Sequence, residues 1–181
     1  MNLPSVWWMT DETRVRDPLR ALARLPRGTA VILRHYGQGD RNRLAAKMAR
    51  TCRRLRLPLV IAGTWRLAAA VCADGLHLPE HAALEAGARL WLKRGKILSR
   101  AAHGPRALAR AAPADAVLLS PINPTASHPG REALGVTRAA LMARAAAGPV
   151  IALGGVSPKH LGMLKRRGFA GIAGIGFALA D

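Results

Sequence analysis

The sequence predicts a (β/α)8 TIM barrel, and three observations lead to it. Short apolar stretches recur along the 181 residues as continuous hydrophobic runs rather than alternating ones, the pattern of strands covered on both faces of a parallel sheet. Between them lie amphipathic stretches with helical spacing, so strand and helix alternate at a nearly regular period. Counting along the chain yields eight such strands, the number that closes this barrel. The chain is short for the fold, whose usual range begins at about 200 residues, and it stops directly after the eighth strand. The last helix is therefore expected to be missing or vestigial. A doubly wound open sheet is the rival arrangement, and the missing helix keeps it open.

The first strand covers 6–9, with two tryptophans, and stops at Thr10 and Asp11. Asp17-Pro18 then opens a short helix, with Asp as N-cap and Pro at the first helical position, and Leu19, Leu22 and Leu25 recur along it. Residues 29–33 form the second strand, which exits into Arg34, His35 and Tyr36. Over 40–57, Leu44, Met48, Cys52 and Leu55 share one face among arginines, which predicts an amphipathic helix. A third strand over 58–62 exits at Gly63-Thr64 and leads to a short helix over 65–72. The fourth strand is 75–78, and Pro79-Glu80 opens the connection to a helix over 81–92 that Gly87 interrupts.

Residues 96–99 form a fifth strand, followed by Ala101, Ala102, His103 and a helix near 105–111. The sixth strand, 116–119, empties into a loop over 120–130 that carries prolines, the hydroxyls of Ser120, Thr125 and Ser127, the amide of Asn123 and His128. That is an abrupt change from packing chemistry to ligand chemistry, and it predicts the mouth of an active site, with an ordinary polar turn as the alternative, since turns also collect Pro, Ser, Asn and Gly. A helix over 138–147 follows, then a seventh strand over 150–153 ending in Gly154-Gly155, a helix from Ser157-Pro158 to 166, and a glycine-rich eighth strand over 169–177.

Length is consistent with a single domain, 1–181. Half the residues are hydrophobic (50%), yet no apolar run approaches the roughly 18 residues needed to span a bilayer. The amino terminus lacks the features of a signal peptide, so a cytoplasmic protein with no membrane partner is expected. Cys52 and Cys72 show no metal-ligand spacing and are expected as two buried thiols. The formal charge of +18 invites a nucleic-acid reading. Against it, Arg and Lys are spread over most helices, and 4% aromatic residues leave few stacking platforms. A small phosphorylated ligand is the partner this field suits better.

In a barrel, functional groups come from the C-terminal ends of the strands. The exits supply Arg34, Ser99, His103, Thr125, Ser127, His128 and the glycines Gly154, Gly155 and Gly174. Glycines after the seventh and eighth strands expose backbone N–H groups where barrels commonly bind phosphate. Each cluster also has a plain explanation, since glycine permits tight turns. His103 suits acid–base work near neutral pH, with a packed or capping histidine as the alternative. Among the exits, Asp11 stands nearly alone as a carboxylate, so metal-assisted chemistry is poorly provided for.

Thr10-Asp11, Leu33-Arg34, Ala73-Asp74-Gly75-Leu76-His77-Leu78, the stretch 115–130, the stretch 149–156 and Gly171-Ile172-Ala173-Gly174-Ile175 resemble, in that order, the thiamine phosphate synthase and thiazole tautomerase (TenI-type) family. The resemblance implies a barrel that handles thiazole phosphate and, in synthases, joins it to a pyrimidine pyrophosphate. By position, Gly154, Gly155 and Gly174 would hold the thiazole phosphate, while Arg34, Ser99, Thr125 and Ser127 would face the other reactant or its anionic group. Departures accompany the matches. The synthases' Asn-Asp pair after the third strand, which helps bind pyrophosphate and magnesium, is Ala62-Gly63 here, and His128 stands where they keep a lysine. The resemblance thus implies a tautomerase-like proton transfer with His103 as acid–base, no cofactor, and Mg²⁺ only if a divergent synthase reaction holds. A non-catalytic phosphate-ligand binder is the third reading. A homodimer would cover the apolar edge left by a missing last helix.

Overall fold

The computed structural model describes residues 3–37, 39–125 and 132–178. Its strands are β1 (Val6–Met9), β2 (Ala30–Leu33), β3 (Leu59–Ala62), β4 (Gly75–Leu78), β5 (Ile97–Ala102), β6 (Ala116–Leu119), β7 (Val150–Leu153) and β8 (Gly171–Gly174). Each pairs in parallel with the next, and β8 returns to β1 through Val6↔Ile172 and Trp8↔Gly174. The sheet is therefore a closed barrel, and the open arrangement falls away. Around it run α1 (Pro18–Leu22), α2 (Arg41–Leu55), α3 (Trp65–Ala70), α4 (Ala86–Leu92), α5 (Pro105–Arg110), α6 (Val136–Ala145) and α7 (Leu161–Arg166).

Burial explains the continuous apolar runs, since β2, β3 and β6 are buried at every position. Trp7 and Trp8 are successive residues on β1 and point to opposite faces, yet both are fully buried. Each indole needs an acceptor: Trp7 Nε1 donates to the Pro4 carbonyl at 2.7 Å and Trp8 Nε1 to the Ile175 carbonyl at 2.8 Å. The second bond ties β1 to the exit of β8, at the seam that closes the barrel. At the opposite end two aspartates act alike. Asp74, just before β4, accepts the Leu59 amide at 2.8 Å, and Asp115, just before β6, accepts the Leu98 amide at 2.7 Å.

The α1 N-cap is as expected, with Asp17 Oδ1 accepting the Leu19 and Arg20 amides at 3.1 Å each. Four features differ from the sequence reading. Helix α4 begins only at Ala86, so Gly87 falls in its first turn, where the Trp65 ring fills the space a Cβ would need (2.5 Å). Strand β5 runs three residues past 99, because Arg100, Ala101 and Ala102 pair with Val117, Leu118 and Leu119; polar Ser99 and Arg100 disguise the strand. Cys52 is buried, which pushes its thiol up to about 12, but Cys72 is exposed, just past α3 in a left-handed conformation (φ 53°). The eighth strand ends at Gly174, and a single 3-10 turn, Gly176–Ala178, is the last described segment. Among the described residues no helix is long and apolar enough to cross a membrane.

Candidate active site

Beyond the strands, the loop after β6 lies along the exit of β7. The Ile122 amide donates to the Leu153 carbonyl at 3.0 Å, the Asn123 amide to Gly154 at 3.1 Å, and Asn123 Nδ2 to the Gly155 carbonyl at 2.9 Å. This close approach requires glycine. Gly154 and Gly155 have φ of +93° and +62°, and a Cβ on Gly155 would stand 2.6 Å from Asn123 Cβ. The bonds engage the carbonyls of this turn and leave its donors bare. Among the described residues, the amides of Gly155 and Val156 after β7, and of Ile175 and Gly176 after β8, have no acceptor.

These segments surround a cavity of about 390 Å³, also lined by Thr125, Ser157 and Arg14. Unpartnered N–H groups beside a guanidinium make a surface suited to an oxyanion. Gly174 lines the cavity too but is buried beneath the Phe177 ring, which packs where its Cβ would be. Packing is therefore a sufficient reason for that glycine.

A second cluster spans the exits of β4 and β5. His103 directly follows β5, and its Nδ1 lies 2.8 Å from Oε2 of Glu80, two residues past β4. The other Glu80 oxygen faces His81 at 3.5 Å and Arg110 at 3.8 Å. Burial pushes the Glu80 carboxyl up, but hydrogen bonds from the His103 side chain and amide, with the charges His103 and His81 carry when protonated, outweigh it and hold the group below its ordinary range. The carboxylate is therefore ionised and accepts, Nδ1–H donates, and Nε2 is left as the proton-accepting nitrogen. Nε2 has no protein partner among the described residues. A carboxylate that orients a histidine in this way prepares it as a general base.

The third cluster lies at β1, β2 and the barrel interior. His77, 4% exposed, meets the fully buried Ser99 hydroxyl at 3.0 Å. Burial and the nearby Arg34 charge push its pKa down to about 4, so it is neutral at pH 7. Arg34 leaves β2 with Nη2 3.8 Å from Asp11, and its amide donates to Thr10 Oγ1 at 2.9 Å. Asp11 Oδ1 accepts three bonds in its own turn, from the Thr13 amide (3.1 Å), the Thr13 hydroxyl (2.6 Å) and the Arg14 amide (3.1 Å).

The structure thus gathers Thr125, Gly154, Gly155 and Gly174 around one cavity and places His103 and Arg34 elsewhere on the same rim. Ser99 lies inside β5, bonded to His77. Ser127 and His128 lie outside the described residues. Sequence reasoning missed Arg14, which stands three residues past Asp11, because a list built from strand exits stops too early. It also passed over Glu80, so Asp11 is not nearly alone as a rim carboxylate. The signal for Glu80 was present in its position two residues after β4, directly before His81.

The family model described as thiamine monophosphate synthase matches residues 8–177. The chain belongs to the thiamine monophosphate synthase family. It is 31% identical over 176 residues to a thiamine-phosphate synthase of Thiobacillus denitrificans, covering 93% of this chain and 83% of that one. To the corresponding protein of Chlorobium luteolum it is 33% identical over 177 residues, covering 94% and 82%. Among solved structures, a thiamine phosphate pyrophosphorylase from Pyrococcus furiosus superposes with a TM-score of 0.74 at 17% identity, covering 97% of this chain and 87% of that one. That last likeness bears on the fold alone. For this thiamine monophosphate synthase family member, the matched span reaches from the first strand to the turn after the last, so it contains all three clusters.

Proposed function

We propose that this chain is a thiazole tautomerase-like enzyme of thiamine biosynthesis, which holds a thiazole phosphate and moves a proton within its ring. The observation that carries the reading is the Glu80–His103 pair at 2.8 Å. The phosphate occupies the cavity at β7 and β8, on the bare amides of Gly155, Val156, Ile175 and Gly176, with Arg14 and Thr125 beside it. The ring then extends across the mouth toward β5. His103 Nε2 takes a ring proton, Glu80 stabilises the imidazolium, and the same nitrogen returns the proton at another ring position. No atom leaves and nothing is oxidised. Arg34 faces an anionic substituent of the ring, Ser99 acts through His77, and Ser127 and His128 are assigned to the ligand by resemblance.

Identity to named synthases favours a second reading, in which thiazole phosphate is joined to a pyrimidine pyrophosphate. The magnesium that such synthases use does not fit the donor set here. The exit of β3 is Ala62-Gly63, Asp11 is committed to its turn, and Glu80 is committed to His103. Among the described residues no group of three or more His, Cys, Asp or Glu side chains is arranged to hold a metal ion. Two assays separate the readings. Incubation with the thiazole phosphate tautomer in D2O, followed by NMR, should show isomerisation with deuterium entering the ring, slowed about 100-fold or more in His103→Asn. Formation of thiamine phosphate from the two phosphorylated precursors with Mg²⁺, and no isomerisation, would establish the synthase instead.

A further inference from the structure

We infer that the groove between α4 and the turn into β6 is a docking site for an acidic amphipathic helix of a partner protein. The inference is independent of the reaction, because the groove lies on the barrel flank and ends beside Lys96 and Pro113, which precede β5 and β6 at the end opposite the mouth.

The groove has a cause in the sequence. Gly87 has no side chain, and the Trp65 ring of α3 occupies the space its Cβ would need, so α4 leans on α3. Helix α5 is six residues long, roughly 9 Å by the helical rise, and leaves part of the barrel wall beside α4 uncovered. Between them a cavity of about 720 Å³ opens to solvent, lined by Leu84 and Leu92, with Leu98 of β5, 5% exposed, as its floor. Leu90 stands on its lip and is 67% exposed; the other exposed large hydrophobics among the described residues are Tyr36, past β2, and Leu141, on α6. A recessed apolar floor with an exposed leucine above it is stabilised when an apolar surface covers both.

The charges around the groove select the surface that covers it. Arg89 and Lys93, one helical turn apart, line it together with Lys96, and among the described residues none of the three has a carboxylate within ion-pair distance. Lys96 lies over the Trp91 ring at 5.7 Å, and Arg89 is close enough to Arg100 to repel it. Asp115, the acid of the lining, already accepts the Leu98 amide at 2.7 Å. Unpaired cations beside leucines are complementary to a helix that carries leucines on one face and carboxylates along its edges. A second copy of this chain fits poorly, since it carries 28 Lys and Arg against 10 Asp and Glu. A flat bilayer would touch the lip and miss the recessed floor.

The test is fluorescence anisotropy at fixed ionic strength with a labelled helical peptide of about 15 residues, leucines at i, i+3, i+4 and i+7 and glutamates between them. Wild type is compared with Leu90→Ser, Lys93→Glu and two controls, Leu141→Ser on α6 and Arg50→Glu on the exposed face of α2. Wild type should bind, Leu90→Ser and Lys93→Glu should each bind about tenfold or more weakly, and the controls should stay within about twofold. A peptide of the same composition, shuffled so that no apolar face forms, should bind wild type about tenfold or more weakly. Thermal unfolding of Leu90→Ser should match wild type, because the side chain is exposed; where it is lowered, Lys93→Glu decides. Absence of binding, equal binding of the shuffled peptide, or an equal loss in Arg50→Glu overturns the proposal, the last two because net charge alone would then suffice. So does self-association in sedimentation, or binding to phosphatidylglycerol vesicles, that is lost in Leu90→Ser, since either puts a different occupant on the groove.

Discussion

Mild acid should destabilise this barrel before its carboxylates begin to titrate, and His77 is the reason. It is buried inside β4 against Ser99, and burial together with the Arg34 charge lowers its pKa from 6.5 to about 4. The unfolded chain therefore binds a proton that the native chain refuses between those values. The stability this contributes is fully present above about pH 6.5, falls as pH drops toward about 4, and is level below that. A pKa difference of that size is worth at most about 3 kcal/mol, and between pH 7 and pH 5 the loss comes to about 2 kcal/mol. Asp11 and Glu80 are also lowered, because hydrogen bonds outweigh their burial, but their contribution is lost only below the ordinary carboxylate values of 3.8 and 4.5. His35, lowered by burial, adds to the upper window in wild type and variant alike. His77→Gln keeps a polar group facing Ser99 and does not titrate. Urea unfolding at pH 7, 6 and 5 should show wild type losing about 2 kcal/mol more than the variant. Parallel pH dependences in the two proteins would refute the argument.

Three further outcomes follow from the geometry. Glu80→Gln should lower the proton-transfer kcat about 10- to 100-fold with KM nearly constant, since a hydrogen bond to a charged group contributes about 1.5–3 kcal/mol; in a His103→Asn background it should have little further effect, and additive losses would separate the two residues. Gly155→Ala should cost about 2 kcal/mol or more, from a left-handed alanine and a Cβ 2.6 Å from Asn123, and should weaken inorganic phosphate binding; calorimetry and thermal unfolding check both, and an unchanged melting temperature contradicts the packing described. Trp8→Phe removes the donor to the Ile175 carbonyl at 2.8 Å and leaves a void beside a fully buried side chain, so urea unfolding should show a loss of about 1–3 kcal/mol.

The barrel was legible in the sequence because burial on both faces writes itself as uninterrupted apolar runs, and strands such as Leu59–Ala62 and Ala116–Leu119 carry nothing else. Strand exits could be listed for the same reason, which placed His103, Arg34 and Gly154-Gly155 at the mouth. Where polar side chains enter a strand, as at Ser99 and Arg100 in β5, the hydrophobic signal fails and the boundary is misjudged. Contacts between units leave no periodic trace at all. Glu80 and His103 are 23 residues apart, and Arg41 reaches a carbonyl 21 residues away. Periodicity reports how each element is buried, one element at a time. Which exits become neighbours, and which side chains then share a proton or lack a counter-ion, follows from the register that closes β8 onto β1, and only the folded barrel decides it.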